Sequence, residues 1–151
     1  MKIEVREPGD GRELAEVYEL RWRILREPWQ QPRGSEKDDL DGNGRVSWNV
    51  AAIQDGKLVG TGRLHRCSDC EGQIRFLCVD EEHRNKGVGT TMLRYLHTKA
   101  TELGMASIGA NVREQAKGFY LKHGYTVTGQ AHTLFGEIPH VRMAKDLPAG
   151  Q

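Results

Sequence analysis

The stretch that decides the fold is Val79-Asp80-Glu81-Glu82-His83-Arg84-Asn85-Lys86-Gly87-Val88-Gly89-Thr90. Upstream, Gln73 to Val79 reads as a strand. Downstream, Val88, Met92, Leu93, Leu96, Ala100 and Leu103 recur at helical spacing, and Gly104 stands where a helix-terminating glycine belongs. The junction is therefore a strand end that feeds a helix N-terminus. Its glycines bare several backbone N–H groups at the positive end of the helix dipole, and Arg84 and Lys86 add cationic charge. That combination is suited to cradling a pyrophosphate. Two other nucleotide loops do not fit. No GxxxxGK followed by Ser or Thr occurs, and Gly60-Thr61-Gly62-Arg63-Leu64-His65 has a histidine where the third glycine of a dinucleotide fingerprint must stand.

Outward from this junction the chain alternates strands and helices. Ile3-Glu4-Val5 alternates as a short strand, and Asp10 with Glu13 forms a capping-box signature. The helix that follows is expected to bury Leu14, Val17, Tyr18, Ile24 and Leu25, with Arg21, Arg23 and Arg26 between them and Pro28 as a stop. Gln30 to Gly44 reads as a long polar loop whose acidic cluster (Glu36, Asp38, Asp39 and Asp41) is either solvated or attracts a cationic amine. Val46–Ile53 and Lys57–His65 are strands joined by the turn dipeptide Asp55-Gly56, and with Gln73–Val79 they form an antiparallel meander. After the central helix, Met105–Ala110 suits a buried strand reached by crossover. Asn111 or its neighbour then caps a helix carrying Ala116, Phe119 and Tyr120 and ending at Gly124. Tyr125–Thr128 and Val141–Ala144 read as the last two strands. The expected fold class is a mixed α/β sheet in a single domain over residues 1–148, with a short tail at 149–151.

With 151 residues the chain is the length of one domain, and 37% apolar residues together with 18 glycines suffice for a core. The 22 Lys and Arg balance 21 Asp and Glu to a net charge of +1, which argues against a dedicated nucleic-acid or membrane-surface binder. The arginines of the first helix (Arg21, Arg23, Arg26) are therefore a weak case for nucleic acid. No apolar run approaches the ~20 residues of a membrane span. The charged start, Met1-Lys2-Ile3-Glu4-Val5-Arg6-Glu7, lacks the apolar region of an export signal, and three cysteines (Cys67, Cys70, Cys78) suit a reducing compartment. A cytoplasmic location is expected. The lone CxxC at Cys67-Ser68-Asp69-Cys70 has no second ligand pair at zinc-finger spacing, so no metal is expected and the two thiols have no assigned role.

Arg84-Asn85-Lys86-Gly87-Val88-Gly89 resembles the R/Q-x-x-G-x-G/A acyl-coenzyme A signature of the GNAT superfamily of N-acetyltransferases. A second block agrees: Asn111, then Ala116-Lys117-Gly118-Phe119-Tyr120-Leu121-Lys122-His123-Gly124-Tyr125, resembles the family's N…A-x-x-F-Y-x-x-x-G-F/Y pattern at the right distance. The two span roughly residues 46 to 128, and the element order agrees over nearly the whole chain. The resemblance implies the GNAT-like fold, a central, mostly antiparallel sheet with helices on both faces. It implies acetyl-CoA as cosubstrate and transfer of its acetyl group to a primary amine of a small molecule or peptide by direct attack. Leu77, Cys78 and Val79 would lie against the thioester end, and Arg84, Asn85, Lys86, Gly87, Val88, Gly89 and Thr90 around the pyrophosphate. Asn111 would contact the pantetheine amides, and Tyr120 would donate a proton to the leaving thiolate. The resemblance also leaves a homodimer open.

The general base is less legible. Aligning through the glycines puts Gln73 where some family members carry a Glu, and an amide is no base. His65, Glu71, His140 or a water chain are the candidates. The resemblance implies that the acceptor is shaped by the first helix and loop, Tyr18 to Asn43, and by the closing strands around His140; Trp22, Trp29 and Trp48 are either walls of that pocket or core residues. A coenzyme A-binding sensor without turnover is the alternative of another class.

Overall fold

The computed structural model describes residues 2–148; the expected tail at 149–151 lies outside them. Seven strands form one sheet: β1 (Glu4–Arg6), β2 (Ser47–Gln54), β3 (Lys57–Arg66), β4 (Glu71–Val79), β5 (Ser107–Arg113), β6 (Thr126–Leu134) and β7 (Ile138–Asp146). Their spatial order is β1-β2-β3-β4-β5-β7-β6. Every neighbouring pair is antiparallel except β4 and β5, which are parallel because α2 (Val88–Glu102) carries the chain between them. The other helices are α1 (Gly11–Leu25) and the short α3 (Lys117–Lys122). No helix among the described residues is long and apolar enough to cross a membrane.

Local sequence fixes the joints. Asp10 caps α1 by accepting from the Glu13 N–H at 2.8 Å, while Glu13 reaches back to the Gly9 N–H at 3.0 Å rather than to Asp10 itself. Asp55 and Gly56, with φ of 53° and 79°, close the β2–β3 hairpin in two residues. Past α2, the Met105 N–H bonds to the Ala100 carbonyl and the Gly104 N–H to that of Thr101, the paired bonds of a Schellman stop.

The two faces of the sheet carry different helices. A Cβ on Gly62 would meet Leu77 at 2.7 Å and Leu96 of α2 at 3.6 Å, and one on Gly60 would meet Met92 at 2.8 Å. These glycines let α2 lie close on β3, where Leu93 and Leu96 join Leu64, Ile74 and Ile108 in the main core. On the other face Leu20 and Ile24 of α1 pack on Cys78 and Leu58. Consecutive strand residues point to opposite faces, so Arg63, next to Gly62, projects toward α1.

Three expectations are corrected here, and the weak case for nucleic acid at α1 loses two of its three arginines. The buried stripe of α1 is Val17, Leu20, Arg21 and Ile24; Leu14, Tyr18 and Leu25 are only half-buried, because the helix turns Arg21 toward the sheet. Arg21 and Arg26 are buried, which removes them as a nucleic-acid surface. The acidic loop is not solvated: Glu36 is buried and Asp38 and Asp41 face inward, leaving only Asp39 of the four exposed. Asn111 lies within β5 and caps no helix, since β5 pairs with β7 as far as Arg113↔His140. The last two strands are correspondingly longer than expected.

Candidate functional site

Pairing between β4 and β5 runs only from Glu71↔Ser107 to Ile74↔Ala110, although the strands continue to Val79 and Arg113. Beyond Ile74 they part. A cleft of about 1020 Å³ occupies the gap and crosses from the α1 face to the N-terminus of α2. A β-bulge in β4 helps to open it. Arg75 faces Arg63 and Cys78 faces Thr61, so Phe76 and Leu77 together oppose Gly62, and Phe76 takes a positive φ of 61°. The extra residue puts Arg75 and Phe76 on the α1 face together, and Leu77 on the α2 face.

Most of the residues expected at the site line this cleft. Leu77, Cys78 and Val79 form the free edge of β4, with Arg84 and Asn85 beyond it. Gly87, Val88, Gly89 and Thr90 form the opening of α2. Gly87 is the N-cap residue with φ 87°, a conformation costly for any residue bearing a Cβ, and no side chain caps the helix, so its first N–H groups are left free. Arg84 Nε donates to the Val79 carbonyl at 3.3 Å, tying the loop to the strand end. Lys86 is exposed and does not line the cleft. Asn111 lines the opposite wall, and its Oδ1 accepts from Arg142 Nη1 at 3.3 Å.

Tyr120 of α3 borders the cleft and is 7% exposed, held edge-on by Phe119 and Tyr125 at 5.3 and 5.1 Å between ring centroids. Burial alone pushes its phenol well above the usual tyrosine range. Burial likewise pushes the Cys78 thiol up to about 12, so it stays a packed thiol and no nucleophile.

Of the expected bases, Glu71 does not line the cleft, whereas His65 and His140 do, as does Gln73, which is no base. Their hydrogen bonds set the two histidines apart. Arg63 Nη2 can only donate, so the 3.3 Å contact makes His65 Nδ1 the acceptor and puts the proton of the neutral ring on Nε2. The Ile138 carbonyl can only accept, so the 2.8 Å contact fixes the proton of His140 on Nδ1 and leaves Nε2 with its lone pair. Burial lowers the pKa of both; for His140 the stacked His132, 5.0 Å away, and Arg113 lower it further against the Ile138 bond.

The wall on the α1 side holds side chains that the sequence did not assign to the site: Arg26, Arg75, Phe76, Arg113 and His132. Behind it lies an ion network. Arg21 and Arg63, both wholly buried, share Asp41 at 3.0 and 3.2 Å, and Arg63 and Arg75 share Asp38 at 2.5 and 2.7 Å. The guanidinium groups of Arg21, Arg75, Arg63 and Arg26 stand 4.1, 4.4, 5.1 and 5.6 Å from the Phe76 ring. Among the described residues no group of three or more His, Cys, Asp or Glu is placed to hold a metal ion, and Cys67 and Cys70 are exposed free thiols.

The model of the acetyltransferase (GNAT) family matches residues 14–125, which takes in most of α1, the meander, α3 and the cleft lining except His132, Leu134 and His140. The chain belongs to this family. It is an N-acetyltransferase of the GNAT type. The chain is 31% identical over 134 residues to the uncharacterized N-acetyltransferase YjcF of Bacillus subtilis, covering 89% of this chain and 93% of that one. Two solved structures share the GNAT fold. An aminoglycoside 6'-N-acetyltransferase complexed with coenzyme A superimposes with a TM-score of 0.81 at 18% identity, covering 100% of each chain. Ard1 from Thermoplasma volcanium does so with a TM-score of 0.81 at 21% identity, over 98% of this chain and 99% of that one.

Proposed function

We propose that this GNAT protein transfers the acetyl group of acetyl-CoA to a primary amine of a small molecule or peptide, by direct attack, in the cytoplasm. The observation that carries the reading is the parting of β4 and β5, which opens directly onto the glycine-capped start of α2. The free edge of β4 from Arg75 to Val79 offers unpaired backbone groups to the pantetheine amides, with Leu77, Cys78 and Val79 nearest the thioester. The N–H groups from Arg84 to Thr90 hold the pyrophosphate, with Arg84 and Lys86 supplying charge. Asn111 faces the pantetheine from β5. Bound acetyl-CoA supplies the activated carbonyl.

The protein's own groups manage the protons. As the C–N bond forms, the amine becomes acidic enough for a neutral imidazole to take its proton, and His140 offers Nε2 for this. Tyr120 gives its proton to the departing sulfur; burial keeps the phenol protonated and equally disfavours a bare thiolate beside it.

The test is calorimetric titration with acetyl-CoA followed by a thiol-release screen over amine classes. Saturable binding with release on some amine supports the reading. Binding without release on any amine converts the protein into a coenzyme A sensor, and absence of binding refutes both.

A further inference from the structure

The α1 end of the cleft carries a cationic excess that the protein leaves uncompensated. Its single carboxylate, Asp38, is already engaged, accepting from Arg63 at 2.5 and 2.9 Å and from Arg75 at 2.7 Å. Arg26 is 6% exposed, yet its hydrogen bonds go only to backbone carbonyls, those of Ser35 at 2.9 Å and Leu25 at 3.0 Å. Arg113 stacks 4.7 Å over Trp29. Neither guanidinium has a carboxylate within 4.0 Å among the described residues. Burial lowers the pKa of both, and for Arg26 the neighbouring Arg75 and Arg113 add to it. A guanidinium remains protonated regardless, so this end of the cleft holds one buried and one half-exposed positive charge, neither in an ion pair.

We propose that the acceptor amine carries an anionic group, a carboxylate or a phosphate, which Arg26 and Arg113 bind. The reading deepens the acyltransferase assignment and rests on it. A buried cation with no carboxylate in salt-bridge reach is costly to keep, with only the more distant Glu36 acting on Arg26, and an anionic acceptor offsets that cost only when bound. The planar guanidinium fork matches a carboxylate or phosphate with two parallel hydrogen bonds. Register adds a length. Arg113 pairs directly with His140 across β5 and β7, and directly opposed residues share a face some ~5 Å apart. The anion and the amine of the acceptor are thus separated by only a few bonds, as in a small amino acid or an amino-alcohol phosphate. Cationic polyamines are repelled.

Two arms test this. In the first, protein saturated with coenzyme A, so that the α2 cradle is filled, is titrated with inorganic phosphate. Saturable binding that weakens about ten- to a hundredfold in Arg113→Gln is expected. In the second, thiol release is compared for β-alanine against β-alaninamide and for phosphoethanolamine against ethanolamine. A preference of at least about tenfold in kcat/KM for the anionic member is expected, lost in Arg113→Gln and partly kept in Arg113→Lys. Arg113 is half-exposed, so its variants test the site even if Arg26→Gln fails to fold. Should none of these amines turn over, the phosphate arm decides alone. Phosphate that does not bind, or binds Arg113→Gln unchanged, overturns the proposal, as does equal turnover of both members of each pair. If coenzyme A does not bind, the acyltransferase reading fails, while loss of phosphate binding in Arg113→Gln still upholds the anion site.

Discussion

Replacing Asp41 should cost this protein more than any change at its surface. The Asp41 side chain is 4% exposed and its Oδ2 accepts from Arg21 at 3.0 Å and the Asp38 N–H at 3.0 Å, with Arg63 at 3.2 Å. Asp41→Ala leaves two wholly buried guanidinium groups, with Asp38 compensating only Arg63. Breaking a buried pair in this way costs about 3–5 kcal/mol, a large part of the ~5–15 kcal/mol that holds a domain folded. At about 2–4 °C per kcal/mol for a chain of this size, the melting midpoint falls by roughly 6–20 °C. Asp41→Asn separates charge from shape, because its carbonyl oxygen can still accept the same hydrogen bonds. It should fall nearly as far as the alanine variant. Urea unfolding followed by circular dichroism, with Glu16→Ala as a surface control, measures the difference; Glu16 is 54% exposed and 4.0 Å from Arg12, so its loss costs at most ~1 kcal/mol. An Asp41→Asn protein within about 0.5 kcal/mol of the parent would falsify the view that charge compensation holds this network together.

The other expectations concern the cleft. Tyr120→Phe keeps the edge-on packing but removes the proton, so kcat should drop about a hundredfold or more with little change in acetyl-CoA affinity; equal losses in both would make the role structural. Because burial holds the His140 pKa below its ordinary 6.5, the ring is neutral at pH 7 and becomes charged only as pH falls below that value. The acid side of log kcat/KM should steepen there beyond the slope set by the acceptor amine, and His140→Gln should erase the added slope. Gly87→Ala meets no atom within 4 Å, so its cost is backbone strain at φ 87°, about 1–2 kcal/mol, and should appear in chemical unfolding and as weaker acetyl-CoA binding.

Where a signal is local, the sequence discloses it. Asp10 with Glu13, the Asp55-Gly56 turn, the stripe from Val88 to Leu103 and the stop at Gly104 each depend on residues within a turn or two of one another, and each forms where expected. Arg21 shows the opposite case. It falls between Val17 and Ile24 on the inward stripe, but what makes its burial tolerable is Asp41, twenty residues on in a loop without periodicity. Polar spacing alone therefore sends it outward. Asn111 falls in a strand rather than at a helix cap for a related reason: the length of β5 is set by its partner β7, and β6 beyond is exposed along nearly its whole length, so its extent is not announced by alternation. Most of the residues read as cofactor contacts line the cleft, because a glycine-rich helix start is a local pattern. The place of Arg26 and Arg113 is not legible in this way, because what distinguishes them is the lack of an ion-pair partner among the described residues, visible only in three dimensions.

The short run of β4–β5 pairing has a consequence for how the molecule breathes. Four residue pairs are all that stitch the sheet half containing β1 to β4 to the half containing β5 to β7. Only the edge strand β1, with three pairs, is held by a shorter ladder, so the thinnest seam inside the sheet coincides with the entrance to its own cleft. Amides along the unpaired edge should exchange with deuterated water orders of magnitude faster than those of the β2–β3 ladder. A ligand that lays its own amides along that edge does the work of a missing strand, so its arrival should slow exchange on both banks at once and raise the unfolding temperature with its concentration.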